Sequence, residues 1–278
     1  DKREQGAVDC LIEDGLATVT FFHPSHNSLP GQILAKLANT ITELGTKDEV
    51  KLILLKSAGD RTFCAGASFD ELIAISNLEE GKKFFMGFAN VINAMRKCPK
   101  LIIGRVQGKA VGGGVGIIAA ADYAIALENA ALKLSELNIG IGPFVIAPAI
   151  VKKSGINVLT EMSLNPDNFY SAKWAKQKGL FHKVCENQSD LKITTNNFAN
   201  KLASFNVNAL KAMKHVFWEN TEHWPELLEK RAETSGSLVL EKASISISLS
   251  IPKVCLIDIL ISGVFLMFGV KFILICIF

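Results

Sequence analysis

Two short stretches carry the residues that could do chemistry. The first is Val106-Gln107-Gly108-Lys109-Ala110-Val111-Gly112-Gly113-Gly114-Val115-Gly116, which follows the apolar run Leu101-Ile102-Ile103 and precedes Ile117-Ile118-Ala119-Ala120-Ala121-Asp122. That order reads as strand, tight glycine turn and helix N-terminus. A helix start presents unpaired backbone N–H groups at the positive end of its dipole, so an anion, or an oxygen becoming one, would be stabilised there. The bland alternative is that Gly112–Gly114 only permit close packing. The second stretch is Thr62-Phe63-Cys64-Ala65-Gly66-Ala67-Ser68-Phe69-Asp70-Glu71-Leu72. It too places a glycine, Gly66, before a small residue, Ala67, at an expected strand-to-helix transition. Two backbone donors aimed at one point make an oxyanion hole. A carboxylate is then needed to move protons, and Glu136 in Leu134-Ser135-Glu136-Leu137-Asn138 stands among apolar neighbours. An acid in such surroundings has a raised pKa and can serve as base and then as acid. Read alone, the same segment is equally a helix start led by Ser135 or a surface acid.

The elements that must position these residues are legible from periodicity. Val8–Ile12 and Ala17–Phe22 read as a hairpin around Glu13-Asp14-Gly15. A helix is predicted from about Gly31 to Gly45, with Ile33, Leu37, Ile41 and Leu44 on one face. Val50–Leu55 is a continuous apolar strand, as expected of one buried on both sides. Asn77–Lys97 is a long amphipathic helix. Short strands are expected at Tyr123–Ala126, Ala130–Leu134 and Phe181–Cys185. Leu137–Phe144 reads as a glycine-rich loop. Helices are expected at Val145–Lys153, Asn157–Leu164, Ser171–Gln177, Leu191–Leu202, Val207–Trp218 and Trp224–Leu240. Alternating strands and helices give way to a mostly helical second half, an α/β layout with a helical C-terminal portion.

Composition narrows the function classes. The chain has 278 residues, 49% hydrophobic and 21% charged, with a formal net charge of +3. This describes a globular protein. No Lys/Arg cluster stands out, so nucleic acid is not expected as a partner. The six cysteines form no CxxC pair and the five histidines lack zinc spacing; a reduced, cytoplasmic setting and no metal are expected. His23 and His26 read as surface or turn residues. The charged start Asp1-Lys2-Arg3-Glu4-Gln5 is unlike a secretory signal, and the missing Met suggests that an N-terminal segment has been removed.

Taken together, these stretches resemble the crotonase (enoyl-CoA hydratase/isomerase) superfamily. Phe63–Glu71 is similar to its first signature. Gly108-Lys109-Ala110-Val111-Gly112-Gly113-Gly114 is similar to the second, followed by Ala120-Ala121-Asp122. Ser171–Lys183, with Ala172, Ala175, Gly179 and Leu180, resembles a later Ala/Gly-Leu stretch. The resemblance runs over roughly residues 8 to 240. It implies a crotonase-like ββα superhelix, usually assembled as trimers or hexamers, with a core over residues 1–190 and a helical region over 191–243. It implies acyl-CoA thioesters as partners, with coenzyme A arriving as part of the substrate and no other cofactor. By motif position the backbone donors would be Ala67 and Gly113, and Glu136 the acid/base. Ala65, Ala67, Ser68, Phe69, Asp70, Gly112 and Gly113 would lie along the bound thioester.

One departure matters. Hydratases of the family carry a second glutamate at the position of Gly116. Isomerases resemble the pattern present here, one glutamate at the position of Glu136 and none at the other. Double-bond isomerisation is therefore preferred over hydration, branched acyl chains included, and a non-catalytic acyl-CoA-binding protein is the alternative of another class. Asp70 or Glu71 would supply a second acid only if their loop folds inward; a solvated helix start is the expectation. Phe84, Phe85, Phe88, Phe144 and Val145 are candidates for an acyl pocket.

The resemblance stops near Leu240. Residues 244–250 alternate as a strand would. Residues 254–278 are nearly all apolar, long enough to cross a bilayer, and interrupted by Asp258 and Lys271. Three readings stand: a membrane anchor, a hydrophobic helix buried in a trimer, or a non-native replacement of the usual end.

Overall fold

The computed structural model describes residues 5–241; both tail features, at 244–250 and 254–278, lie outside the described residues. The chain opens with a hairpin of β1 (Ala7–Glu13) and β2 (Leu16–Phe22), closed by Asp14-Gly15. The short β3 (Ser28–Leu29) leads into α1 (Gly31–Thr46). Then come β4 (Leu52–Ser57), β5 (Thr62–Cys64), β6 (Gly66–Ala67), α2 (Phe69–Ile73) and α3 (Leu78–Lys97). The next unit is β7 (Leu101–Val106), β8 (Lys109–Val111), α4 (Gly113–Ala120), β9 (Tyr123–Leu127) and β10 (Ala131–Lys133). A single 3₁₀ turn, Glu136–Ile139, precedes α5 (Ala147–Ser154) and α6 (Ile156–Leu164). The chain continues through β11 (Tyr170–Ser171), α7 (Ala172–Gln177), β12 (Lys183–Cys185), α8 (Gln188–Ala203), α9 (Val207–Phe217) and α10 (Trp224–Val239).

Among the described residues the main sheet runs β1-β2-β4-β7-β9-β12, parallel apart from the first hairpin. Its central strands are apolar without alternation because both faces are covered. Ile53, Leu55 and Ile102 join one core with α1, α3 and α4, while Leu52, Leu54, Leu101 and Ile103 join another with Leu191 and Ala199 of α8. The period of two thus divides one apolar run between two cores. A second sheet, β11-β10-β8-β5, stands apart from it, and β3 pairs with β6.

The long elements match the sequence expectation, with shifted ends. β4 begins two residues later than Val50, because the Lys51 N–H is taken by Gly15 O at 2.8 Å and the Val50 N–H by Lys47 O. β12 likewise starts at Lys183, not Phe181. α8 starts earlier, at Gln188, because Asn187 Oδ1 accepts from the Asp190 N–H and caps it. The glycine stretch needs a larger correction. The expected single strand–turn–helix is two steps: β7 ends at Val106, the chain crosses to the second sheet as β8, and only then does α4 begin.

Asp122, just beyond α4, anchors the helical half. Its carboxylate accepts from Lys214 Nζ (2.7 Å), Trp218 Nε1 (2.7 Å) and the Ile102 N–H (2.7 Å), and the Lys214 and Asp122 side chains are both almost wholly buried. Lys214 also donates to Met95 O. Removing one partner of a buried pair strands the other. Lys214→Met is expected to lower the unfolding free energy by about 3–5 kcal/mol in urea titrations; a loss below about 1 kcal/mol would rank the pair with surface ones.

Candidate active site

Two glycines in the left-handed half of backbone space bring the two motif stretches together. Gly112 turns the chain from β8 into α4 with φ +53° and ψ −116°, a conformation costly to a residue with a Cβ. Gly66 lies at φ +96°, where a Cβ would stand 3.3 Å from Val111 O and 3.9 Å from Gly113 N. The amide of residue 113 and the segment carrying Ala67 are therefore neighbours. Gly113 opens α4, so its N–H has no acceptor within the helix. Beside Ala67, the N–H groups of Ala65 and Ser68 are held by Asn27 O and Leu29 O, and Ser28 Oγ donates to Ala67 O at 2.7 Å.

Glu136 begins the 3₁₀ turn. The parallel pairing of β8 and β10 fixes its approach: Lys133 lies opposite Val111, and the Gly112 N–H donates to Lys133 O at 2.9 Å. A Cβ on Gly112 would come within 3.0 Å of Glu136 Oε1. Oε2 is buried and has no hydrogen-bond partner. Burial pushes the Glu136 carboxyl up to about 7, with the backbone amides of Glu136 and Ser135 pulling only partly against it. Ser135 makes no side-chain cap, which removes the reading of this turn as a Ser-capped helix start.

These groups share one cleft of about 990 Å³, its open mouth included. Ala65, Ala67, Phe69, Gly112, Gly113 and Glu136 all line it. Phe84, Phe85, Phe88, Phe144 and Val145 form much of its apolar wall. Ser68 and Asp70 are not among the lining residues. Ser68 Oγ caps α2 by accepting from the Glu71 N–H, and Asp70 is exposed in the first turn of α2. Glu71 does not turn inward. Its Oε2 accepts from the Gly31 N–H at 2.8 Å, at the N-terminus of α1.

A side chain at position 116 would collide with Ile146 where it now stands. A Cβ there would lie 2.4 Å from Ile146 Cγ2 and 2.8 Å from Ile146 Cβ. Ile146, itself part of the cleft wall, thus fills the volume a second carboxylate would need. Among the described residues, no three His, Cys, Asp or Glu side chains gather as a metal site would require.

Several supporting residues escaped the sequence reading. Gln107 Nε2 reaches Ser57 Oγ (2.8 Å) and Gly59 O (3.1 Å), and Asn27 Nδ2 reaches Ala58 O and Thr62 O (both 2.9 Å). Together they fix the loop that delivers Ala65–Ala67. Both are amides beside turn residues, a signal present in the sequence but not specific. Ile146 and Ser235 reach the cleft wall from distant parts of the chain, and nothing local marks them.

No described helix is long and apolar enough to cross a membrane. The fold recurs in solved structures, among them an enoyl-CoA hydratase from Bacillus halodurans with a TM-score of 0.82 at 20% identity, covering 88% of this chain and 99% of that one. A short-chain-enoyl-CoA hydratase of Clostridium acetobutylicum is 31% identical over 206 residues, 73% of this chain and 78% of the relative. A trans-2-decenoyl-[acyl-carrier-protein] isomerase of Streptococcus mutans is 26% identical over 238 residues, 82% and 88% of the two chains. An ethylmalonyl-CoA decarboxylase of Xenopus laevis is 28% identical over 140 residues, 50% of this chain and 46% of the relative. The family model for enoyl-CoA hydratase/isomerase matches residues 11–241, nearly all of the described chain, and on that match this protein belongs to the enoyl-CoA hydratase/isomerase family.

Proposed function

We propose that this enzyme moves a double bond in an enoyl thioester of coenzyme A, converting a 3-enoyl to a 2-enoyl chain. One observation carries the preference: Glu136 is the one carboxylate among the described residues lining the cleft, and the second position is filled by Ile146. Adding water across a double bond is easiest with two carboxylates holding one water molecule. Shifting the bond needs a single base. In this reading the Glu136 carboxylate takes a proton from C2, between the carbonyl and the double bond. The electron pair delocalises over the dienolate, and its charge falls on the thioester oxygen. The Ala67 and Gly113 amides stabilise that oxygen. The Glu136 carboxylic acid then returns the proton to C4, and the double bond comes to rest between C2 and C3. A carboxyl with a pKa near 7 suits both steps.

The experiment is incubation with 3-enoyl-CoA and 2-enoyl-CoA in separate tubes. Conversion of the first to the conjugated 2-enoyl thioester, with the second unchanged, is expected. A 3-hydroxyacyl-CoA product from the second tube would establish hydration instead. No product from either, with tight acyl-CoA binding, would establish a binding protein.

A further inference from the structure

One side of the cleft is closed by α10, and a pair of glycines sets its distance. Gly81, in the first turn of α3, meets Gly236, in the last turn of α10, backbone against backbone. A methyl on Gly81 would lie 2.8 Å from Gly236 Cα, and one on Gly236 would lie 2.8 Å from Gly81 C and Lys82 N. Both obstacles are main chain, so neither can yield unless a helix moves. Each glycine costs a helix about 1 kcal/mol relative to alanine, and here two of them face each other at one crossing. Further along the two helices the interface is apolar, with Leu228 and Ala232 of α10 in the core that holds Phe88 and Met95 of α3, while the ion pairs of Lys82 with Glu229 (2.7 Å) and Glu233 (4.0 Å) lie at the surface and add little. At the cleft end the glycine pair is the point of closest backbone approach.

What this crossing positions is the apolar part of the cleft. Ser235, next to Gly236 and 1% exposed, is part of the wall. One turn earlier, Arg231 Nη1 donates to Phe144 O at 3.1 Å and so ties α10 to the loop that carries Ile141–Phe144. Val239 packs with Ile75 and Ile141, in a cluster that Phe84 and Phe85 join. The helix thus meets both the 141–144 loop and the phenylalanine-bearing stretch of α3.

We infer that α10 is the end wall of the acyl-chain pocket, and that the Gly81–Gly236 contact determines which chain lengths the enzyme admits, favouring short straight chains that stop before Ser235. This rests on the proposed acyl-CoA site but not on which reaction occurs there. A long chain must lift α10 from α3, breaking the Arg231–Phe144 link with it.

Binding of butyryl-, octanoyl- and palmitoyl-CoA, all saturated and inert to isomerisation, tests this by calorimetry on the full chain. The native protein is expected to bind butyryl-CoA more tightly than palmitoyl-CoA. Gly236→Ala should shift that ratio about tenfold toward palmitoyl-CoA, a change of about 1.4 kcal/mol. Ser235→Phe brings the wall inward and should weaken octanoyl-CoA about tenfold while leaving free coenzyme A unaffected; it carries the test should Gly236→Ala not fold. Palmitoyl-CoA preferred by the native protein, or unchanged selectivity in a folded variant, overturns the inference and leaves the proposed reaction standing. Acyl-CoAs binding no better than free coenzyme A would overturn both. Turnover failing while the selectivity shifts as described would overturn only the reaction.

Discussion

Glu136→Gln abolishes turnover, by about 100- to 10,000-fold in kcat, and leaves acyl-CoA affinity close to that of the parent. The amide has nearly the volume of the acid but can neither take nor return a proton, and in the proposed cycle one group does both. In the parent, kcat/KM is expected to rise with pH and level off above about 7, where the base form of Glu136 predominates. A second titration on the acid side would betray another catalytic carboxylate. Stability moves in the opposite sense. Burial raises the carboxyl from its ordinary 4.5 to about 7, so between those values the folded state binds more protons than the unfolded one. Stability therefore falls as pH rises through this window, by roughly 3 kcal/mol in all. The Glu136→Gln side chain does not titrate, so the variant escapes that loss. Melting curves from pH 4 to 8 should show the variant gaining steadily on the parent. Unchanged turnover removes Glu136 from the mechanism; a constant gap in melting temperature means its carboxylate is hydrated in the folded protein.

Ala67→Pro is the second large effect. Proline at this position keeps a small apolar side chain and the carbonyl that Ser28 Oγ binds, but deletes the amide hydrogen. If that hydrogen meets the developing enolate oxygen, kcat falls by about 100- to 1,000-fold, whereas the KM for an acyl-CoA changes much less. The preceding residue is Gly66, which tolerates the restriction proline places on its predecessor better than any other type. Far-UV circular dichroism should therefore match the parent. A folded Ala67→Pro protein with native kcat would assign the oxyanion to other donors and leave only Gly113 in question.

The amino-acid order made some of this visible and hid the rest, for identifiable reasons. α1 and α3 were legible because each repeats its apolar residues often enough to define a face, and the central strands because each is a continuous apolar run. β3, β5, β6, β8 and β11 have two or three residues each, too few to display a period, and their pairing partners lie far along the chain. The candidate site was mostly legible, since Gly66–Ala67 and Gly112–Gly113 are carried by compact motifs; Glu136 was singled out only by its place after them, its own segment reading equally as a helix start or a surface acid. That Gly116 departs from the hydratase pattern could also be read directly. Its counterpart could not: Ile146 lies far along the chain, just past a loop whose course depends on Arg231 of α10. Ser68 and Asp70 illustrate the reverse. They stand inside a motif, yet local geometry gives Ser68 a capping role and turns Asp70 to solvent.

The interlock of residues 116 and 146 bears on how such a protein could change its trade. Introducing a glutamate at 116 alone forces a side chain into occupied space, at a cost of about 1–3 kcal/mol or more. Trimming Ile146 to alanine alone leaves a void costing about 2–5 kcal/mol. Each single mutant is thus expected to be less stable than its parent, and the second substitution to relieve part of the loss caused by the first. Positions 116 and 146 are therefore expected to change together, and their double mutant to be more stable than the sum of the two single losses predicts.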